Sequence, residues 1–387
     1  MSAPAYLDYA ATTPVDARVA ARMLECMGVE GDFGNPGSAH AHGERAARRV
    51  ETARAEVAAA AGAQPDEVVW TSGATEADNL AIFGVAHYYR DQGRHLITAR
   101  TEHKAVLDPC RELQRRGWLV TYLAPDRGGR IEPRQVAEAL RPDTVLVSLM
   151  HVNNETGLVQ DIAAVAAECA RHGGARLHVD AAQSMGKLPL DFAASGADLM
   201  SLSAHKAYGP KGVGALLVSA RSGVQFEPLV YGGGQERGRR SGTVATHQVA
   251  GMGAACAIAA AEQVAEGVRI GALREHLWQG IAALGGVLRN GAAADSVPQI
   301  LNASFEDVEG ESLLAAVSDD IAVSTGSACA SAVSEPSYVL RALGRDARLA
   351  EASLRFSLGR YTTPADVERA VAAVSRAVAH IRRIGGR

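Results

Sequence analysis

Glu67-Val-Val-Trp-Thr-Ser-Gly-Ala-Thr-Glu76 decides how this chain folds, because three textures meet in it. Residues 67–71 are a short apolar run of strand length, and residues 76–90 carry the spacing of a helix. Between them lies a turn of small residues. It lets a ligand approach the backbone where the helix N-terminus presents free N–H groups and the positive end of its dipole. That is the arrangement of a phosphate cradle, although taken alone an ordinary N-cap by Ser72 or Thr75 explains the turn better.

The alternation extends outward on both sides. A helix is predicted over 45–61, with further helices at 104–116, 133–140 and 162–172. Strands are predicted at 95–98, 120–123, 145–150, 176–180, 198–203 and 214–219. Seven short strands separated by helices imply an α/β fold with a mostly parallel sheet covered on both faces. After Gly232-Gly-Gly234 the texture changes. An alanine-rich helix is expected at 247–266, followed by a smaller α+β unit with strands at 300–305, 321–324 and 354–358 and a closing helix at 364–382. The expected division is a large domain at 15–262 and a small one at 263–387, joined by the N-terminal segment 1–14.

With 387 residues, 47% of them hydrophobic and 21% charged, the chain can bury a sizeable core. No run approaches the ~20 apolar residues of a membrane span, and the N-terminus lacks a signal peptide's basic start and apolar stretch, so a cytoplasmic location is expected. A net charge of −4 gives no basic field for nucleic acid. The five cysteines (Cys26, Cys110, Cys169, Cys256 and Cys329) form no zinc-like cluster and read as free thiols, the first four as buried small hydrophobes. Only four lysines occur (Lys104, Lys187, Lys206 and Lys211), so lysine chemistry has few candidates.

In open α/β sheets ligands bind beyond the carboxyl ends of the strands. Those ends carry, in turn, the Ser72–Glu76 turn, His103, the pair Asn153-Asn154 with Glu155, Asp180 followed by Gln183, and Ser203-Ala-His-Lys206. Each has a bland reading: His103 equally suits a simple helix start. Together they match what pyridoxal phosphate needs. That cofactor takes a lysine for covalent attachment and proton transfer, an acid on the pyridine nitrogen, a phosphate cup and a ring-covering side chain. Lys206 alone among the lysines ends a predicted strand, beside Ser203 and His205; Lys211 reads as a surface turn residue.

Which reaction follows depends on Ser324-Thr-Gly-Ser-Ala-Cys-Ala-Ser-Ala-Val-Ser334. Small and hydroxyl residues around one cysteine suit a mobile loop that carries a thiol to a site, with a buried structural Cys329 as the alternative.

These residues resemble the group I cysteine desulfurases, the housekeeping iron–sulfur cluster assembly type more than the nitrogen-fixation type. The resemblance runs over nearly the whole chain. It begins at Tyr6-Leu-Asp-Tyr-Ala-Ala-Thr-Thr-Pro14 and Phe33-Gly-Asn-Pro-Gly-Ser38, continues through Thr101-Glu-His-Lys-Ala-Val106 and His178-Val-Asp-Ala-Ala-Gln-Ser184, and closes on Gly326-Ser-Ala-Cys329 and Arg355-Phe-Ser-Leu-Gly-Arg360. It implies the class V aminotransferase-like family and fold type I of the pyridoxal-phosphate-dependent transferases. It further implies that Lys206 carries the cofactor, Asp180 pairs with its ring nitrogen, and His103 stacks on the ring as acid/base. Asn154 and Gln183 contact the ring; Ala74, Thr75, Ser203 and His205 hold the phosphate with Thr243 from the partner subunit of a homodimer. Arg355, Asn35 and Asn154 grip the carboxylate of L-cysteine, and Cys329 takes its sulfur as a persulfide, leaving L-alanine. No resident metal is implied, Cys329 serving at most as a transient iron–sulfur ligand. The sulfur passes to an iron–sulfur scaffold or another acceptor protein.

Ala204 stands where the nitrogen-fixation type has glycine, and Thr325 and Ala330 replace the more usual serine and threonine of the cysteine loop. The sequence ends at Ile384-Gly-Gly-Arg387, short of the tail with which housekeeping members contact the scaffold, so the acceptor and its docking stay open. An aminotransferase would not need the thiol loop. A selenocysteine lyase could keep it, and a catalytically weak sulfur-relay protein is the reading from another class.

Overall fold

The computed structural model describes residues 3–325 and 336–385. Strands follow the apolar runs closely. After β1 (Ala5–Tyr6) come β2 (Val68–Thr71), β3 (His95–Ala99), β4 (Leu119–Leu123), β5 (Thr144–Met150), β6 (Arg176–Asp180), β7 (Leu199–Ser203) and β8 (Gly214–Val218). β2 to β8 form one seven-stranded sheet in the order β2-β8-β7-β6-β5-β3-β4. All pairings are parallel except those of β8, which runs against both β7 and β2. Every residue of β5, β7 and β8 is buried, as expected of strands with helices on both faces.

The helices Ala41–Ala61 and Thr246–Ala282 pack on one face, and Ala74–Tyr89 with Lys104–Arg115 on the other. A second core lies around a small sheet of β9 (Val287–Arg289), β10 (Ile300–Phe305) and β12 (Ser353–Ser357) in the antiparallel order β12-β10-β9. The closing helix, Pro364–Gly385, covers it. β11 (Ile321–Ala322) pairs in parallel with β1.

Two expectations need correction. The helix expected to end at residue 266 runs unbroken to Ala282. Gly267 and Gly271 lie just beyond that expected end, and each costs a helix ~1 kcal/mol relative to alanine. Both instead pass Pro298, with their Cβ positions 3.7 and 3.4 Å from it, and Ile270, Leu277 and Ile281 beyond them are buried in the second core. The strand expected at 321–324 is only two residues long, although Ser324 makes an isolated bridge with Arg355.

Candidate active site

Parallel β5, β6 and β7 deliver Met150, Asp180 and Ser203 to one sheet edge, Met150 opposite Asp180 and Asp180 opposite Ser201. Because β8 reverses direction twice over, β2 points the same way as β7, and Thr71 and Ser203 both pair with Gly214. That glycine is a spatial requirement. A Cβ there would lie 2.5 Å from the Leu202 carbonyl oxygen and 2.7 Å from Gly73. Its absence lets the Ser72-Gly73 turn close over the sheet edge and start the helix Ala74–Tyr89.

Beyond this edge opens a cavity of about 700 Å³. It gathers Ala74 and Thr75 from the helix start, His103, Asn154, Asp180 and Gln183, Ser203, His205 and Lys206, and Arg355 from β12. Lys206 Nζ donates to the Ala10 and Ala11 carbonyls, both at 2.6 Å. His103 satisfies both of its sequence readings: its Nδ1 accepts from Ala105 N–H at 3.1 Å, capping a helix, while the ring lines the cavity. The capping bond leaves the proton on Nε2.

Burial sets the charges. It raises the Asp180 carboxyl to about 6, with Asp78 adding to the effect and the Ala182 N–H opposing it. It lowers His103, and lowers His205 to about 4, keeping the latter imidazole neutral near pH 7. His205 Nδ1 faces Thr12 Oγ1 at 3.1 Å, which turns the other nitrogen away from the N-terminal segment. Arg355 is 5% exposed; its Nη2 meets Asp8 at 2.8 Å, its Nη1 donates to the Asn154 carbonyl at 3.0 Å, and its Nε is buried without a partner among the described residues.

The residues fit pyridoxal phosphate. Ser203 Oγ is buried with no partner among the described residues, although a buried hydroxyl is expensive unless bonded. It sits beside the helix start at Ala74 and Thr75, where backbone N–H groups suit a phosphate. A buried acid near the wall and an amine at Lys206 complete the donor set. Gln183 donates to the Ala10 carbonyl at 2.9 Å, and its Oε1 is also buried without a partner.

Not every expected residue arrives. Asn35 and Thr243 are exposed and do not line the cavity; Thr243 was expected to act from a partner subunit. Cys329 lies outside the described residues, while Ser324 and Pro336 on either side both line the cavity. Sequence reasoning missed Asp8, which holds Arg355, and Tyr338, whose hydroxyl donates to the Glu102 carbonyl at 2.7 Å. A charged residue directly after Tyr6-Leu7 was the available signal for Asp8. Lys187 was passed over too: its Nζ is buried although it follows no strand. Among the described residues no helix is long and apolar enough to cross a membrane.

Residues 5–370 match the aminotransferase class-V family. The chain is 55% identical over 385 residues to cysteine desulfurase IscS of Azotobacter vinelandii, covering 99% of this chain and 95% of the relative. Among solved structures, a NifS-like protein superposes with a TM-score of 0.91 at 34% identity, covering 97% of this chain and all of that one (100%). SspA in complex with cysteine gives 0.81 at 37% identity, covering 92% of this chain and 99% of that one.

Proposed function

Since the chain belongs to the aminotransferase class-V family, we propose that it is a pyridoxal-phosphate-dependent cysteine desulfurase that converts L-cysteine to L-alanine. The observation that carries this reading is the meeting of Lys206, Asp180, Ser203 and Arg355 on one cavity. No aminotransferase-only reading calls for the Cys329 segment, whose flanks Ser324 and Pro336 lie on that same wall.

The cofactor, when bound, supplies an electron sink for the pair left at the substrate Cα. Thr75, Ser203 and His205 would hold its phosphate end, and Asp180 would pair as a carboxylate with its ring nitrogen. Lys206, whose amine donates to the Ala10 and Ala11 carbonyls, would be the residue that holds the cofactor and, once released as a free amine, the base for the Cα proton. Arg355 offers to the substrate carboxylate its Nε, which has no partner among the described residues, held in aim by Asp8 and Asn154. Cys329 is five residues from Ser324, a reach of at most ~17 Å, enough to bring its thiolate to the substrate sulfur. That attack forms the S–S bond of a persulfide; the electrons of the broken S–Cβ bond stay with carbon, which is protonated to give alanine. His103 moves the protons.

A homodimer with Thr243 reaching the partner's phosphate site, a substrate contact from Asn35, a cytoplasmic location and delivery of sulfur to an iron–sulfur scaffold or thiolation protein belong to the same proposal. So does the division into a cofactor-binding domain, 15–262, and a small domain with the cysteine loop, 263–387. The test is incubation with L-cysteine while alanine and sulfide are measured. Lys206→Ala should abolish turnover, and Cys329→Ser should keep the cofactor and release no sulfur. Sulfide release undiminished in Cys329→Ser refutes the nucleophile; turnover confined to L-selenocysteine points to the lyase.

A further inference from the structure

Lys206 also lines a second, much smaller cavity. Its volume is about 20 Å³, and Lys187, Lys206, Gln299 and Glu266 are among the residues that line it. A space of roughly 10–15 Å³ accepts one water molecule, provided polar groups receive it. Two polar atoms on this wall are buried and have no partner among the described residues: Lys187 Nζ and Gln299 Oε1. One is a donor only and the other an acceptor only.

The local fold forces Lys187 inward. Gly186 takes a left-handed φ of +75°, and its Cβ position lies 3.0 Å from Ala259 Cβ on the long helix, so the turn presses flat against that helix. The lysine that follows buries its amine and lines the small cavity with Ala259, Glu266 and Ile270 of that helix. Charged groups surround it: Lys206 and His205 from the turn after β7, Arg355 from β12, Arg360 from the segment after β12, and Glu266 from the long helix. Tyr9 and Tyr208 close the remaining wall. Glu266 is taken by Arg360, so the nearest acid is already neutralised. Burial, together with the Lys206 and Arg355 charges, draws the Lys187 amine down to about 7.

We propose that this cavity binds one ordered water bridging Lys187 Nζ to Gln299 Oε1, and that Lys187 is thereby a positioning residue whose charge disfavours a second charge on Lys206. The inference rests on the reading of Lys206 as the amine that takes the Cα proton. Such an amine must be uncharged when released, and a neighbouring cation favours that state.

The first test is a high-resolution crystal structure of the holoenzyme, expected to show a water within hydrogen-bonding distance of both atoms. Lys187 Nζ bonded directly to a protein acceptor, with no water, overturns the site. The second is the pH profile of Lys187→Met. Loss of the neighbouring charge moves the acid limb of kcat up by at most about one unit, so kcat falls severalfold at pH 7 and below, where Lys187 is at least half charged, and approaches wild type at pH 9, where it is neutral, with KM for L-cysteine nearly unchanged. Lys187→Gln keeps a donor for the water without the charge and should reproduce this pattern if the methionine variant folds poorly. An equal loss at both pH values, or none, overturns the positioning role. Borohydride reduction and peptide mapping separate the underlying reading: cofactor fixed on a lysine other than Lys206 defeats that reading itself.

Discussion

Asp78, on the buried face of the helix Ala74–Tyr89, is 1% exposed, and burial raises its carboxyl to about 7 from an ordinary value near 3.8. No cation among the described residues compensates. His178 Nε2 lies 3.5 Å away, but that imidazole is lowered to about 4 by burial and is taken up by Ser148 and Ser201 at 2.8 and 2.9 Å. An acid that holds its proton more tightly folded than unfolded favours folding below pH 4, and the advantage is lost as pH rises through about 7. A shift of about three units sets a ceiling near 4 kcal/mol, and the effective polarity of protein interiors brings this to ~2–4 kcal/mol. Asp78→Asn keeps the shape and removes the titration. Urea unfolding of both proteins, followed by far-UV circular dichroism, should therefore give a variant only modestly more stable at pH 5 and clearly more stable at pH 8. A difference that does not change between the two pH values would falsify the reasoning.

Ser203→Ala removes a hydroxyl that has no partner among the described residues, so the cofactor-free protein should melt unchanged. Cofactor affinity, measured by fluorescence titration, should weaken by about 10- to 100-fold, the worth of one hydrogen bond to a charged group. Gly214→Ala places a methyl group against the Leu202 carbonyl and Gly73, displacing the phosphate turn. We expect ~1–3 kcal/mol of lost stability and substoichiometric cofactor in the purified protein, read by calorimetry and absorbance.

The strand ends were legible because a fully buried strand is a continuous apolar run, and the residue after such a run has nowhere to go but the edge. Asp180, Ser203 and Lys206 were found that way and share a cavity. The long helix was not legible beyond residue 266, because its glycines are read locally as breaks while their reason, Pro298, lies 27 residues or more downstream. Lys187 escaped because a lysine in a Gly-Lys turn looks solvated; only packing against Ala259 turns its amine inward. Asn35 and Thr243 are exposed on this chain, and no local pattern in a sequence states what a second subunit would cover.

The N-terminal strip from Ala5 to Thr13 stitches the molecule together. Leu7 exchanges bonds with Ala322 and Ser357, Asp8 steadies Arg355, and the Ala10 and Ala11 carbonyls receive Lys206. This strip is made well before its partner at Ser357, which lies 350 residues further along the chain. At ordinary synthesis rates it waits roughly 20–70 s for that partner to be made. The amine and guanidinium it holds are thus placed together only once β12 has been made, and a nascent chain cut before β12, however well its large sheet has formed, carries no finished catalytic pocket to load.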